Sequence, residues 1–183
     1  MCRAARAAGA VSFLDAVHFA PHASMDVQAW GCDFLSCSAY KFFGPHVGVL
    51  WGRRELLEQV AAYKVRPAPD ALPGKWMTGT QNHEGIAGVA AAIETLASIG
   101  RAHAPNDRLD RPAALAAAFA AIQVHERQLV SMLLSGLREI PAITVWGKAN
   151  PDDLEMRFPT VSLTHDTLRP SELAARLGEQ GLF

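Results

Sequence analysis

The chain is 183 residues long, half of them hydrophobic and 19% charged, with a formal net charge of −1 at pH 7. That is the composition of one globular domain with a small appendage, and the balanced charge leaves no summed positive field to attract nucleic acid or an acidic membrane surface. No apolar stretch is read as reaching the roughly 20 residues of a membrane span, and Cys2, Cys32 and Cys37, an odd set without framework spacing, predict free thiols in a reducing compartment, the cytoplasm.

In chain order, CRAARAAG reads as a helix tail ended by Gly9. A start of that kind, leading straight into a buried strand, points to a fragment of a longer chain. Residues 10–17 and 33–39 are short apolar runs without clean alternation, the pattern of parallel strands buried on both faces. Residues 24–31 leave room only for a short helix or a loop between them. Gly44, Pro45 and Gly48 break the chain, so residues 47–51 return as an antiparallel strand, and residues 55–63 look helical. The prolines at 67, 69 and 73 make residues 66–79 a long loop. Asn82 then caps a helix running to Ile99, with Gly100 as its stop signal. Residues 112–139 carry Ile122, Leu129, Val130, Leu133 and Leu137 at helical spacing and form one long amphipathic helix. Residues 144–146, 159–163 and 170–178 read strand, strand, helix, an α+β unit that is incomplete at Phe183.

Asp15 ends the first strand and Lys41 follows the second, where open α/β sheets place their ligand crevice. Asp15 can serve as a turn cap, and Lys41 can snorkel to water. Together, an amine among the apolar residues of DFLSCSAYKFFG and a nearby carboxylate supply what pyridoxal phosphate chemistry needs: a Schiff-base lysine and a partner for the pyridinium nitrogen. A rival set, Asp15 with His18 and His22, reads as a metal hydrolase site, although Pro21 disfavours the helix that would align the two histidines.

The runs DAVH at 15–18, CSAYKFFGPHVGVLWG at 37–52 and TGTQN at 78–82, in that order, resemble the class V aminotransferase and cysteine desulfurase family, in its cysteine desulfurase-like branch. The resemblance implies a partial fold of the aspartate aminotransferase type, a mixed sheet flanked by helices. Residues 1–111 would be the later half of the large cofactor-binding domain, and residues 112–183 a long connecting helix with an incomplete small domain. It implies pyridoxal 5'-phosphate as cofactor and a transferase or lyase reaction on an amino acid. Lys41 becomes the aldimine lysine, Asp15 the partner of the pyridine nitrogen and His18 the group that hydrogen-bonds the phenolic oxygen. Ser38 and Tyr40 hold the phosphate, with Tyr40 standing where the family has histidine. Thr80 reaches the phosphate of a neighbouring subunit in a homodimer. No metal is implied, and His22, His46 and His83 take no role from the resemblance. Family elements expected before residue 1 and after residue 183 make this chain inactive alone, or a non-catalytic fragment.

Overall fold

The computed structural model describes residues 1–77, 79–105 and 108–182. Thr78, which opens the TGTQN run, lies outside the described residues, as do Asn106, Asp107 and Phe183. The chain divides into two compact units, Met1–Ala120 and Ala121–Phe183.

The first unit opens on helix α1 (Cys2–Ala7), after which Gly9 adopts a left-handed φ of 71°. Strand β1 (Phe13–Asp15) follows, then helix α2 (Val27–Trp30), strand β2 (Phe34–Ser38), a 3₁₀ turn (Ala39–Phe42), strand β3 (Gly48–Gly52) and helix α3 (Arg54–Gln59). α2 is short but well bounded. The Asp26 carboxylate accepts hydrogen bonds from the N–H groups of Gln28 and Ala29, and Gly31 closes the helix in the left-handed region. The sheet runs β1-β2-β3, with β1 and β2 parallel and β3 antiparallel to β2, as the lengths of the connections predict.

Burial of the sheet departs from the sequence reading. Leu35 and Cys37 on β2 are buried, whereas Phe13 and Leu50 keep 58% and 54% of their surface. A continuous apolar run states a preference for burial, and the described residues close over only one face.

Asp33, just before β2, is a buried carboxylate that the sequence reading passed over. It accepts hydrogen bonds from the Ser12 N–H (2.9 Å), the Ser12 hydroxyl (2.8 Å) and Arg53 (2.9 Å), with Arg6 at 3.6 Å. It thereby ties α1, the entry to β1 and the start of α3 to the sheet. The Ser12 N–H and hydroxyl, followed by Arg53 and Arg6, lower its pKa from 3.8 to about 2, against the opposing effect of burial. A carboxylate with a depressed folded pKa contributes its full stabilisation above its unfolded value and loses it as pH falls toward the folded one. Asp33→Asn is therefore expected to cost about 2 kcal/mol near neutrality. Urea unfolding of that variant should also lose less stability than the parent between about pH 4 and pH 2.

Residues 60–77 are anchored along their length. Lys75 donates to the carbonyls of Leu57 (3.0 Å) and Glu58 (2.7 Å), and Trp76 Nε1 to that of Leu57 (3.1 Å), satisfying the C-terminal end of α3. Lys64 donates to Ala68 O and pairs with Asp70 at 2.8 Å.

Helix α4 (His83–His103) starts at Asn82, whose side chain accepts a hydrogen bond from the Gly85 N–H at 2.8 Å. It continues through Gly100, which is not its stop. A Cβ on Gly100 would run into the Ala114 carbonyl oxygen and come within 2.8 Å of Ala118 N. Gly100 is thus the point where helix α5 (Arg111–Arg138) crosses α4, with Ala97, Ala114 and Ala118 fully buried around it. Gly100→Ala is expected to destabilise the chain by about 1–3 kcal/mol through overpacking, seen as a lower urea midpoint at unchanged slope. By length and composition alone α4 is also apolar enough to cross a membrane, which corrects the sequence reading. Ile86, Val89, Ile93, Leu96 and Ile99, spaced among alanines rather than in one run, give it that character, and Ala92, Leu96, Ala97 and Gly100 lie on its buried face.

In the second unit, strands β4 (Ile143–Trp146) and β5 (Ser162–His165) pair antiparallel, and helix α6 (Pro170–Glu179) follows, with Pro170 as its first residue and Glu172 accepting from the Arg169 N–H.

Candidate functional site

β1 and β2 run in parallel and in register, with Asp15 opposite Ser36. Both strands therefore end at the same edge of the sheet. Ser38 lies about 7 Å beyond the level of Asp15 at ordinary strand rise, and the 3₁₀ turn then carries Tyr40 and Lys41.

Asp15 does cap a turn: the Val17 N–H donates to its Oδ1 at 2.9 Å. Its Oδ2 accepts nothing among the described residues, so the capping role leaves half the carboxylate available. The turn that follows, with Phe19 and Ala20 N–H groups donating to Ala16 O, leaves His18 exposed. A cavity of about 500 Å³ opens beside Asp15, walled by Cys2, Arg3, Leu14, Ala16 and Phe19 among others. Lys41 is not part of its wall.

Lys41 is half-buried rather than enclosed in apolar surroundings as its neighbours predict. Its ammonium stands 5.1 Å from the centre of the Tyr40 ring. The other three lysines of the chain are engaged: Lys64 and Lys75 by carbonyls, and Lys148 by Asp153 at 3.9 Å. Lys41 alone has no hydrogen bond or ion pair among the described residues. The Tyr40 ring stacks on His46, with centroids 5.1 Å apart and planes 17° from parallel. His46 belongs to the segment between the 3₁₀ turn and β3. That segment is pinned by Gly44 N–H to Ala39 O (2.8 Å) and Ala39 N–H to Val47 O (2.9 Å).

The same segment rests on the first turns of α4. A Cβ on Gly85 would lie 2.7 Å from Val47 Cγ2, and one on Gly88 would lie 3.0 Å from Pro45 Cγ. The start of α4, with exposed Thr80 two residues ahead of its cap, is thereby held beside the turn that carries Lys41. Ser38, Tyr40, His18 and Thr80 make no side-chain hydrogen bonds among the described residues.

Cys32 and Cys37 are buried, and burial is the main cause raising both thiols above their ordinary value. Among the described residues no three His, Cys, Asp or Glu side chains converge to hold a metal. The Asp15, His18 and His22 hydrolase set is thus not assembled, as the turn through Pro21 aligns no histidine pair on a helix.

Residues 1–115 match the family model for class V aminotransferases, and the chain belongs to that family, whose members depend on pyridoxal phosphate. Among curated proteins it is 32% identical to a probable cysteine desulfurase of Streptomyces coelicolor, over 98% of this chain and 41% of that protein. It is 29% identical to probable cysteine desulfurase 2 of Mycobacterium leprae, over 97% and 40%. The apo structure of a cysteine desulfurase from Thermococcus onnurineus superposes with a TM-score of 0.78 at 25% identity, covering 99% of this chain and 43% of that one. The fold is accordingly that of the pyridoxal-phosphate-dependent cysteine desulfurases, and the chain spans about two fifths of the length of the relatives it matches.

The donor set fits this cofactor. One edge of the sheet offers an amine with no hydrogen bond or ion pair among the described residues, a half-free carboxylate, an imidazole and hydroxyl donors, which are the groups an aldehyde, a pyridine nitrogen, a phenolic oxygen and a phosphate call for.

Proposed function

We propose that this chain carries the lysine-bearing half of a pyridoxal phosphate site that acts on an amino acid, cysteine by analogy with the relatives' names. When bound, the cofactor supplies an aldehyde and an electron-poor ring that accepts the electrons released at an amino acid's α-carbon. Lys41 Nζ is the covalent anchor. Asp15 Oδ2 holds a proton at the ring nitrogen, His18 hydrogen-bonds the phenolic oxygen, and Ser38 and Tyr40 donate to the phosphate. Thr80, exposed ahead of the α4 cap, reaches the phosphate of a second copy in a homodimer. Buried thiols without disulfides support the cytoplasm as the compartment.

The supporting observation is the parallel pair β1 and β2, which ends Asp15 and the Ser38–Lys41 segment at one sheet edge, with Lys41 the lysine that makes no hydrogen bond or ion pair among the described residues and meets only the Tyr40 ring. Borohydride reduction in the presence of pyridoxal phosphate, followed by digestion and mass mapping, tests the reading. The label is expected on Lys41, and a label spread over Lys64, Lys75 and Lys148 instead would refute it.

A second reading is favoured by the thiols. Cys32 and Cys37 are buried with their thiols raised by burial, and Cys2 is buried but for the wall of the cavity beside Asp15, so the surface of residues 1–183 offers no exposed cysteine to take up sulfur. On this reading the chain alone holds cofactor without releasing sulfur from cysteine.

A further inference from the structure

Lys41, Tyr40 and His46 form a cluster in which only His46 has no assigned part. Its imidazole lies nearly parallel to the Tyr40 ring at 5.1 Å, although both residues are exposed. An exposed tyrosine ordinarily samples several χ1 wells. Here a flat partner covers its ring, on a segment pinned by two backbone hydrogen bonds to Ala39 and seated against α4. Two rigid supports therefore fix the orientation of an aromatic residue that contributes little to the core. The stack also holds the phenolic hydroxyl in one direction, the kind of support from a neighbouring residue that a binding group needs.

We propose that His46 is a positioning residue: by stacking on Tyr40 it aims the Tyr40 hydroxyl at the phosphate of the cofactor, so that a phenol with a fixed ring serves as phosphate donor. This rests on the cofactor reading above and adds to it the residue that makes Tyr40 effective. A free tyrosine would lose rotamer entropy on binding, and the stack removes part of that cost beforehand. The imidazole acts through its flat face, so another flat ring should replace it.

The test compares pyridoxal phosphate with pyridoxal, which lacks the phosphate and holds most of its aldehyde as an internal hemiacetal, so labelling of Lys41 by each reagent is scaled to labelling of the exposed Lys148 in the same sample. In both cases Lys41 nitrogen bonds the aldehyde carbon with loss of water, and hydride from borohydride saturates the new bond. Mass mapping then gives the reagent concentration that half-labels Lys41 in the 183-residue chain. The parent should prefer pyridoxal phosphate. His46→Ala should narrow that preference about fivefold, and Tyr40→Phe about tenfold. His46→Phe should restore most of it, and His46→Ala should add little on top of Tyr40→Phe. A merely structural role would shift both reagents together and leave their ratio intact.

An unchanged ratio in His46→Ala, with Lys41 still labelled, would overturn the positioning role while leaving the cofactor site standing. Equal half-labelling by both reagents in the parent would overturn it as well. Absence of preferential labelling at Lys41 with either reagent would remove the cofactor reading, and this inference with it. Circular dichroism of each variant checks that folding is retained, as the exposure of both side chains leads one to expect.

Discussion

Lys41→Ala is expected to abolish the visible absorption band that appears when pyridoxal phosphate is added to the protein. The substitution removes the one lysine amine that is not already committed among the described residues. Lys64 spends its protons on the Ala68 and Pro69 carbonyls and on Asp70. Lys75 donates to two carbonyls at the end of α3. Either would have to break those bonds before attacking an aldehyde, and Lys148, held on the surface only by Asp153 at 3.9 Å, reacts as an ordinary exposed amine, so none substitutes at comparable concentration. The fold should survive, because the 3₁₀ turn is anchored by buried Ala39 and Phe42 while the Lys41 side chain reaches water. A full band in a folded Lys41→Ala protein would move the anchor elsewhere. Lys41→Arg should behave like alanine, since a guanidinium keeps its charge and has no free amine.

Asp15→Asn is expected to bind the cofactor and to slow exchange of a bound amino acid's α-proton by about 10²- to 10³-fold in the native protein, the range for loss of one electrostatic contact to a reacting centre. The choice of asparagine follows from the geometry. Its side-chain oxygen can go on accepting from the Val17 N–H, as Oδ1 does at 2.9 Å, so the turn after β1 is preserved. What changes is the second position, where a carboxylate oxygen able to hold a proton on a ring nitrogen becomes an amide N–H₂ that cannot. Deuterium wash-in followed by mass spectrometry measures the exchange. A rate equal to that of the parent would leave Asp15 as a turn cap and nothing more.

The order of elements was legible because local signals governed it. Asp26 and Gly31 bound α2, Asn82 starts α4, and the brevity of the connection between β2 and β3 left only an antiparallel return. The placement of Asp15 at the end of β1 and of Ser38 to Lys41 at the end of β2 was legible for a related reason, since strand ends are properties of short segments. Three features escaped. Gly100 resembles a stop signal within its own helix, and only the crossing of α5 explains it. Asp33 looked like the polar start of a strand. Its role depends on Ser12, Arg6 and Arg53, none of which neighbours it in sequence. His46 lies inside the run at 37–52 but took no role from it, and its stack on Tyr40 arises from the fold of the segment before β3. In each case the deciding partner is brought in by tertiary structure, to which periodicity and capping rules are blind.

Among the described residues the order β1-β2-β3 leaves the outer edge of β1 unpaired, next to Val11 and Phe13, which are 61% and 58% exposed. Such an edge is a template on which another copy can add a strand, and the rate of that addition grows with the number of copies present. The 183-residue chain would then be lost by a route of second order in protein, and dilute stocks would outlast concentrated ones held just as cold.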